Sequence, residues 1–477
     1  MKNNYYIATS IPYPNAKPHM GHTLDPLYGD VLGRYYRKKG LNVILQVGLD
    51  EHGQKLYQKA KEEEKTTQEW LSEMRPIFED FLGKLNIDYQ VVTHTEDPEK
   101  HFPACQELWR RAKSNGDIYK KKYKGLYCVG CETFKNSDEL VDGKCPDHLI
   151  KPEEIEEENY FFALSKYEKY LKDHFKKNPD FVYPTNSYNE ALGMLNGGLE
   201  DVSISRPKSR LPWGVPVPDD EDHVMYVWFD ALTNYLTALG FPADKKRMAD
   251  FWPPDIEIVG KDNNRWHTLL WPAMLKSAGL EPPKKVLVHY YVLGKGGVKM
   301  SKTIGNVVDP IEMIDLHGTD AFRYFMLSRI PMSADGSFDT EQFSQIYLSE
   351  LGNDLGNLLQ RTLSMINKYG VKVKYVEKIG CSKESCVDKH IEALEFDKAL
   401  EKLWSCVRAN NKLIEDEKPW ELAKSDPKKL AQVLGVVYEF LNVFSNQIEP
   451  FMPDTSSNMK KQLKSLKPEP LFPRLES

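Results

Sequence analysis

The chain has 477 residues, of which 41% are hydrophobic and 28% charged, and its formal net charge is −6. This composition is that of an ordinary soluble globular protein, and the length predicts about three domains. The acidic balance provides no global basic field for nucleic acid, although a local patch can still bind it. No apolar run reaches the ~18 residues needed to span a bilayer, and the N-terminus lacks a secretory signal, so we expect a cytoplasmic protein without membrane contact.

The first hundred residues alternate strand-like and helix-like patterns. Residues 5–11 and 42–47 form apolar runs typical of buried parallel strands, and residues 21–39 carry an apolar face at helical spacing. Gly40 follows that helix at a position where a glycine commonly ends one. This order of strand, helix and strand predicts a doubly wound, nucleotide-binding sheet of the Rossmann type.

The pattern changes at about residue 116, where short, turn-rich segments begin, and strand-like runs return from Met225 onward. A lysine run at 120–124 is more typical of a solvated face than of an RNA contact. After about residue 340 the leucines recur at helical spacing. We therefore predict an α/β fold in which a Rossmann-type parallel sheet is split by an insertion and followed by an all-α bundle. The expected domains are the two sheet halves at 1–115 and 226–295, the insertion at 116–225, a linking region at 296–345 and the bundle at 346–477.

Two histidines frame the motif His19-Met20-Gly21-His22, which falls where the first predicted strand gives way to the first helix. Ligands of such sheets bind at this edge, and a helix N-terminus offers unpaired N–H groups to a phosphate. Gly21 would allow a flat ligand to approach the backbone closely. The alternative is a loop with two solvated histidines, and the motif alone does not decide between the two.

A second motif, Lys299-Met300-Ser301-Lys302, follows two glycines. Two lysines in such a loop could close over a triphosphate and act as point charges against the negative charge of the transition state. Taken alone, the segment is more readily interpreted as a basic surface loop. Because both motifs occur at the ends of the two halves of one predicted sheet, we interpret them together as a nucleotide-activation site.

Three cysteines and a histidine form two close pairs, Cys128 with Cys131 and Cys145 with His148. This spacing is typical of a tetrahedral zinc site, and four protein ligands leave no position for water. We therefore predict one structural Zn2+ in a knuckle within residues 125–150, whose turn-rich surroundings would need the metal to hold their shape. A redox-active dithiol is the weaker interpretation. The other cysteines, Cys105, Cys381, Cys386 and Cys406, are interpreted as ordinary thiols.

The two nucleotide motifs resemble the HIGH and KMSKS signatures of the class I aminoacyl-tRNA synthetases, with Met20 and Thr303 as mild departures. Segments that begin at Gly48, Tyr226 and Val259 are similar to the methionyl members. The resemblance implies ATP contacts from residues of both signatures and from one aspartate: His19, Gly21, His22, Asp262, Lys299 and Lys302. The two histidines and two lysines among them would be the catalytic residues.

The resemblance also implies a methionine site in which Asp50 pairs with the substrate ammonium group. The other members are apolar or aromatic residues and one histidine: Ile11, Tyr13, Trp228, Ala231, Leu232, Tyr235 and His267. A thioether is polarizable and favours aromatic edges, and we expect Tyr13 or His267 to donate a hydrogen bond to its sulfur. Glu257 and Tyr290 depart from the family pattern, in which histidine and glycine are common.

The C-terminal helices resemble the family's anticodon-binding bundle. The implied RNA contacts are Asn353, Asn357, Arg361 and Trp420, of which Trp420 would stack on a base or, alternatively, belong to the core. The expected activity is that of a methionine–tRNA ligase, and the expected partners are ATP with Mg2+, L-methionine and tRNA(Met). Because the chain ends near the bundle, without the oligonucleotide-binding domain that dimerises some relatives, we expect a monomer.

Two other functions stay open at this point. A class I synthetase for isoleucine, valine or leucine would share both signatures, but such enzymes usually carry a much larger editing insertion than residues 116–225. A tRNA-binding paralogue that has lost activity would lack one of the signature histidines or lysines. All four are present, which favours an active enzyme.

Overall fold

The structure is a computed structural model that describes residues 3–128, 133–135, 137–146, 149–300, 307–372 and 386–474. The chain divides into two compact units. The sheet unit consists of Met1–Pro18, Tyr36–Gly83 and Ile87–His289. The helical unit consists of His19–Tyr35, Lys84–Asn86 and Tyr290–Ser477.

Strands occur mostly in the sheet unit. In chain order they are β1 (Asn4–Thr9), β2 (Asn42–Leu49), β3 (Val91–His94), β4 (Ile118–Cys128), β5 (Thr133–Lys135), β6 (Glu153–Phe162), β7 (Val182–Tyr183), β8 (Val202–Ser203), β9 (Ser205–Pro207), β10 (His223–Met225), β11 (Ile256–Gly260), β12 (Val286–His289), β13 (Val292–Leu293) and β14 (Gly336–Ser337). The last two pair with each other in the helical unit.

The central sheet is parallel, and its described strands lie in the order β3-β2-β1-β11-β12-β7. Ile7 on β1 aligns with Leu45 on one side and with Ile256 on the other, and all three are buried. The strands predicted at 5–11 and 42–47 are observed at Asn4–Thr9 and Asn42–Leu49, and the predicted α/β fold with a parallel sheet is confirmed. Because the strands are parallel, the segments that follow β1, β2 and β11 leave the same edge of the sheet.

The segment between the two halves of this sheet contributes an antiparallel sheet in the order β5-β4-β6-β8. Its register places Lys122 opposite Glu158 and Lys124 opposite Glu156. Lys124 Nζ lies 2.8 Å from Glu154 Oε1. The lysine run therefore lies beside the acidic run of the neighbouring strand, which supports a solvated face over an RNA contact.

The helices are α1 (Leu24–Lys38), α2 (Gln54–Glu62), α3 (Thr67–Lys84), α4 (His101–Ser114), α5 (Glu168–Lys177), α6 (Thr185–Asn196), α7 (Val227–Leu232), α8 (Asn234–Thr237), α9 (Lys245–Phe251), α10 (Trp271–Ser277), α11 (Pro310–His317), α12 (Thr319–Arg329), α13 (Thr340–Ile346), α14 (Asn357–Tyr369), α15 (Asp388–Glu392), α16 (Phe396–Glu417), α17 (Pro419–Ser425), α18 (Pro427–Gln447) and α19 (Pro453–Ser465). The helix predicted at 21–39 is observed as a 3-10 turn, Met20–Thr23, followed by α1. Gly40 has a φ of 87°, the left-handed conformation expected of a glycine that ends a helix.

A buried arginine explains why the helical unit includes pieces from the N-terminal part of the chain. Arg323 on α12 is fully buried, and its Nη2 donates to Asp30 Oδ2 on α1 at 2.6 Å. It also donates to the carbonyl oxygens of Leu85 at 3.0 Å and Phe451 at 2.8 Å. Removing one partner of a buried ion pair typically costs about 3–5 kcal/mol, so this residue holds the unit together. The predicted helical C-terminal region is confirmed.

Within the described parts of the chain, every helix is too short or too polar to cross a membrane. Cys105 and Cys386 are free thiols, as expected. Cys406 is disulfide-bonded, so the expectation of an ordinary thiol is wrong there. Cys381 lies outside the described residues.

Candidate active site and RNA-binding surface

The histidine motif lies in the helical unit and forms the 3-10 turn that precedes α1. His19 Nδ1 accepts a hydrogen bond from the Gly21 N–H at 3.1 Å, and His22 Nδ1 accepts one from the His19 N–H at 3.3 Å. The two rings stack with their centroids 3.8 Å apart. A Cβ at Gly21 would lie 2.9 Å from His19 Cε1, so a side chain there would displace the stacked ring.

Both imidazoles are neutral and carry their proton on Nε2. In each ring Nδ1 is the acceptor, so the single proton of the neutral form belongs to Nε2. Burial lowers the pKa of His19, and burial together with the neighbouring His19 ring lowers the pKa of His22. Each ring of the turn therefore carries an Nε2–H donor of the kind that suits a phosphate oxygen. Donation of this kind does not require a charged imidazole.

The second motif is also in the helical unit, where Lys299 is exposed. Its loop starts from β13 and closes where the Gly294 N–H donates to the Val298 carbonyl oxygen at 2.8 Å. Lys295 Nζ lies 2.8 Å from Glu341 Oε2, which holds the base of the loop. Lys302 lies outside the described residues.

Asp50 directly follows β2 in the sheet unit and is buried, and its N–H donates to the Pro12 carbonyl oxygen at 3.0 Å. The next residue, Glu51, accepts two hydrogen bonds from Arg75, both 2.6 Å long, and lies 2.8 Å from His94 Nδ1. Burial would raise the pKa of Glu51, but His94 and Arg75 outweigh it and hold that pKa below its ordinary value. The residue next to Asp50 is thus held in place by hydrogen bonds from Arg75 and His94.

Aromatic residues of the sheet unit form a packed group around α7, α8 and the π-helical segment Trp266–Leu270. The Trp228 ring stacks on Trp266 with centroids 4.6 Å apart and an interplanar angle of 15°. Tyr235 and His267 are joined by a bond of 2.7 Å between the hydroxyl and Nε2. Of the predicted methionine contacts, these are buried: Asp50, Ala231, Leu232, Tyr235 and His267.

The hydrogen bonds of His267 determine its tautomer. Nδ1 lies 3.0 Å from the carbonyl oxygen of Asn263, which can only accept, so Nδ1 carries the proton. Nε2 must then accept the hydrogen bond of the Tyr235 hydroxyl. Donation from His267 to a sulfur atom would require one of these two hydrogen bonds to break, and it stays a prediction. Tyr13, the other expected donor, is half-buried and has the Lys55 ammonium 5.7 Å from its ring centroid.

The segment after β1 carries Ile11 and Tyr13 and crosses close to Gly48. A Cβ at Gly48 would lie 2.9 Å from Ile11 Cγ2 and only 2.2 Å from Thr93 Oγ1, so no side chain fits there. Asp262 is exposed in the 3-10 turn Lys261–Asn263, directly after β11. These residues follow strands at the carboxyl edge of the parallel sheet, where ligands of this architecture bind.

Sequence reasoning missed several residues of this region. Trp266 was part of a matched segment but was not interpreted as the stacking partner of Trp228. Glu51, His52 and Asp230 were not assigned a role, although His52 and Asp230 are buried ionisable side chains 2.6 Å apart. The available signal was a run of titratable residues directly after an apolar strand, which is unusual unless each has a partner.

A cavity of about 670 Å³ borders the aromatic group on the side of the inserted sheet. Trp266 contributes to its wall, together with the basic residues Lys121, Arg206 and Arg265. The other aromatic residues of the lining are Tyr119, Tyr123, Phe161 and Tyr226. The lining also contains three acidic residues, Glu139, Glu200 and Asp201, so the cavity combines flat rings with side chains of both charges.

The described half of the predicted zinc knuckle consists of two buried thiols. Cys128 ends β4, and both Cys128 and Cys145 are 0% exposed and outside any disulfide. A turn around Cys145 is closed by the Leu149 N–H, which donates to the Cys145 carbonyl oxygen at 2.8 Å. Cys131 and His148 lie outside the described residues. Buried, unoxidised cysteines in a turn-rich segment fit the chemistry of a zinc ligand set.

The predicted RNA contacts lie on neighbouring helices of the helical unit. Asn353 and Asn357 are exposed, at the junction of the π-helical segment Tyr347–Gly356 and α14, and Arg361 is half-buried one turn further on. Trp420 is 42% exposed at the start of α17, so the alternative of a core residue is wrong. Both helices pack on one small core, which includes Ile366, Leu422 and Leu434.

Known proteins resemble this chain over nearly its whole length. The family model described as class I tRNA synthetases (M) matches residues 5–363, and that of the anticodon binding domain of methionyl tRNA ligase matches residues 376–473. The methionine–tRNA ligase of Caldanaerobacter subterraneus is 40% identical over 97% of this chain and 74% of its own length. That of Clostridium acetobutylicum is 41% identical over 97% of this chain and 73% of its own length.

A solved structure agrees with these sequence matches. Mycobacterium tuberculosis methionyl-tRNA synthetase in complex with methionyl-adenylate is 35% identical, with a TM-score of 0.92 over 99% of this chain and 100% of that chain. The resemblance inferred from the motifs is thereby confirmed. The chain belongs to the methionyl-tRNA synthetases of class I.

Proposed function

We propose that this chain activates L-methionine with ATP to methionyl-adenylate, with release of pyrophosphate, and then transfers the methionyl group to the 3′-terminal ribose of tRNA(Met). The observation that carries the proposal is the likeness, at a TM-score of 0.92, to a synthetase structure that holds methionyl-adenylate. The activity of methionine–tRNA ligase is also that of the relatives at about 40% identity.

Methionine is recognised at its two ends. The buried Asp50 carboxylate accepts a hydrogen bond from the substrate ammonium group. Such a charge-assisted hydrogen bond is strong in a site of low dielectric. Trp228, Ala231, Leu232 and Tyr235 enclose the thioether, with Ile11 and Tyr13 from the segment after β1. Burial of so small a side chain supplies only about 1.5–3 kcal/mol, so shape and the ammonium contact together provide selection.

ATP is held by charge and by hydrogen-bond donors. The Nε2–H groups of His19 and His22 donate hydrogen bonds to phosphate oxygens. Lys299 and Lys302 neutralise the negative charge that grows during the reaction. Asp262 accepts hydrogen bonds from the ribose hydroxyls. The methionine carboxylate attacks the α-phosphorus in line and expels pyrophosphate. The protein forms no covalent intermediate, and its contribution is positioning and electrostatic stabilisation.

Two metal ions belong to the proposal. Mg2+ accompanies ATP and offsets phosphate charge during the reaction. Cys128, Cys131, Cys145 and His148 hold one structural Zn2+, which the two buried thiols of the described half support. Metal analysis of the purified protein tests this: we expect about one zinc per chain, and a folded protein without zinc would contradict it.

Transfer requires tRNA at two places. Trp420 stacks on an anticodon base, while Asn353, Asn357 and Arg361 contact base edges and phosphates. The rings that line the cavity beside Trp266 are suited to stacking on bases of the single-stranded acceptor end. Such a reaction serves protein synthesis, and the cytoplasm is the proposed location.

The test is ATP–pyrophosphate exchange with each of the twenty amino acids, run on the wild type and on His22→Ala. We expect exchange with methionine alone, and its loss in the variant. Exchange with another amino acid would keep the class I chemistry and overturn the pocket assignment. No exchange from folded, zinc-loaded protein would favour an inactive tRNA-binding paralogue.

A further inference from the structure

Buried charged side chains form a continuous network beside the loop that carries Asp50. His52 Nδ1 lies 2.6 Å from Asp230 Oδ2, and His52 Nε2 lies 2.6 Å from Glu96 Oε2. Asp230 Oδ1 lies 2.7 Å from His101 Nε2, and His101 Nδ1 lies 2.9 Å from the Thr237 hydroxyl. We call these five residues the His52 network. Its three central members are at most 1% exposed.

His52 is positively charged within this network. Both of its ring nitrogens face carboxylate oxygens, which only accept hydrogen bonds, so both nitrogens carry protons. Burial would lower the pKa of His52, but Asp230 and Glu96 outweigh burial and raise that pKa to about 10. Burial would likewise raise the pKa of Asp230, but His52 and His101 outweigh it and lower that pKa. The centre of the network is therefore an imidazolium–carboxylate pair.

A metal ion could be suspected nearby, because ligand atoms of His101, Cys105 and Asp230 lie within 4.8 Å of one another. The hydrogen bonds oppose this interpretation. His101 Nε2 faces an Asp230 oxygen at 2.7 Å and so carries a proton rather than an available lone pair. Burial and the Asp230 charge raise the pKa of Cys105, which keeps its thiol protonated. The cluster is satisfied by its own hydrogen bonds.

The network joins the two parts of the proposed methionine site. The His52 N–H donates to Asp50 Oδ1 at 3.3 Å, so the position of His52 helps to set that of the carboxylate. Asp230 lies on α7 between Trp228 and Ala231, which are proposed walls of the thioether pocket. His52 and Asp230 are 178 residues apart in the chain, and their contact ties β2 to α7.

We infer that the His52–Asp230 pair is a positioning device that fixes the ammonium acceptor at a set distance from the thioether pocket. The inference rests on the proposed function, because it assigns a purpose to the same site. The ammonium group and the thioether of methionine must be bound at the same time. A displacement of about 1 Å in the position of a binding group can lower the rate about a hundredfold. His52 and Asp230 act through Asp50 and α7, and are therefore positioning residues rather than catalytic ones.

The test compares Asp230→Asn with wild type by methionine-dependent ATP–pyrophosphate exchange. We expect the KM for methionine to rise about tenfold to hundredfold, with the KM for ATP changed less than about twofold. Inhibition by the 2-hydroxy analogue of methionine, which lacks the ammonium group, provides a second readout. The preference for methionine over this analogue should shrink by about tenfold, because Asp50 is no longer held in place.

Glu96→Gln provides a second variant in case Asp230→Asn does not fold, since Glu96 faces His52 from the more exposed side. His174→Gln, a half-buried histidine on α5 outside the network, is the control for loss of a histidine. A folded variant with an unchanged methionine KM and an unchanged analogue preference would overturn the inference. A wild type inactive with every amino acid would instead overturn the proposed function.

Discussion

The aromatic group around Trp228 and the surface around Trp420 both present rings to a proposed ligand, but they are built differently. In the sheet unit, Trp228 is stacked on Trp266 at 4.6 Å, and Tyr235 is 1% exposed and bonded to His267. In the helical unit, Trp420 is 42% exposed. A small substrate is thus met by rings fixed in advance, whereas a nucleic-acid base would complete the stack itself. Substitutions in the two regions should therefore impair different steps of the reaction.

The largest effect is expected for Asp50→Asn, which removes the charge that faces the ammonium group. Loss of one partner of a buried charge pair costs about 2–5 kcal/mol, so kcat/KM for methionine in exchange should fall about thirtyfold or more. Binding of tRNA, measured by filter binding, should be unchanged. Asp88→Asn, at an exposed aspartate of the sheet unit, is the matched control. An equal loss of tRNA binding would contradict the assignment of the two regions to different steps of the reaction.

Trp420→Ala should show the reverse pattern. Stacking on one base contributes about 1–3 kcal/mol, so kcat/KM for charging of tRNA should fall about fivefold to hundredfold while exchange is unaffected. Leu316→Ala, at another exposed apolar residue of the helical unit, should leave both steps unchanged. Equal losses in exchange and charging would mean that Trp420 supports the fold rather than RNA.

A third test concerns charge buried in the sheet unit. Glu257 on β11 is 0% exposed, and burial raises its pKa from 4.5 to about 8, against the hydrogen bond from Trp271. Between pH 4.5 and 8 the folded chain holds a proton that the unfolded chain has released, so stability falls as pH rises through this window. Glu257→Gln should remove that slope and raise the thermal midpoint at pH 8 by about 2–4 °C.

The comparison with wild type separates the pH dependence of stability that is due to Glu257 from that due to His52. With a pKa of about 10 in place of 6.5, His52 contributes stability that is complete below pH 6.5 and lost as pH rises through 10. That slope is present in both proteins and cancels in their difference. Parallel curves of thermal midpoint against pH for wild type and Glu257→Gln would show that Glu257 is ionised in the folded chain.

The smallest effect is expected for Tyr235→Phe, which deletes the hydroxyl that donates to His267. One lost hydrogen bond costs about 1 kcal/mol, so the KM for methionine should rise about fivefold with little change in the KM for ATP. Tyr188→Phe, which removes a hydroxyl bonded to the Phe175 carbonyl oxygen, is the control. An unchanged KM for methionine would show that the pair does not shape the pocket.

Local patterns made much of the fold predictable. Apolar runs located β1 and β2 within a few residues, and Gly40 ended the first helix in the left-handed conformation that only a few residue types adopt readily. The signature motifs could be placed at strand ends because ligands of parallel sheets bind there. Such features are encoded within short stretches of chain, so they are visible without tertiary structure.

Long-range polar contacts were not predictable from the sequence. The bond between His52 and Asp230 spans 178 residues, and nothing local to either residue indicates the other. Likewise, the sequence allowed His267 to be a donor, and only its contacts with Asn263 and Tyr235 fix the opposite role for Nε2. A hydrogen-bonding group has several possible partners, and tertiary structure selects among them.

The commitment of His267 to Tyr235 and Asn263 bears on the fidelity of decoding. Both nitrogens of the only histidine proposed for the pocket are already engaged, so the ring contributes shape and polarizability rather than a dedicated bond to sulfur. A pocket of that kind discriminates between isosteric side chains by only about 1–3 kcal/mol of transition-state binding free energy. An analogue in which a methylene replaces the sulfur should therefore be activated at a measurable rate. Accurate reading of methionine codons would then depend on how little of such an analogue the cell contains.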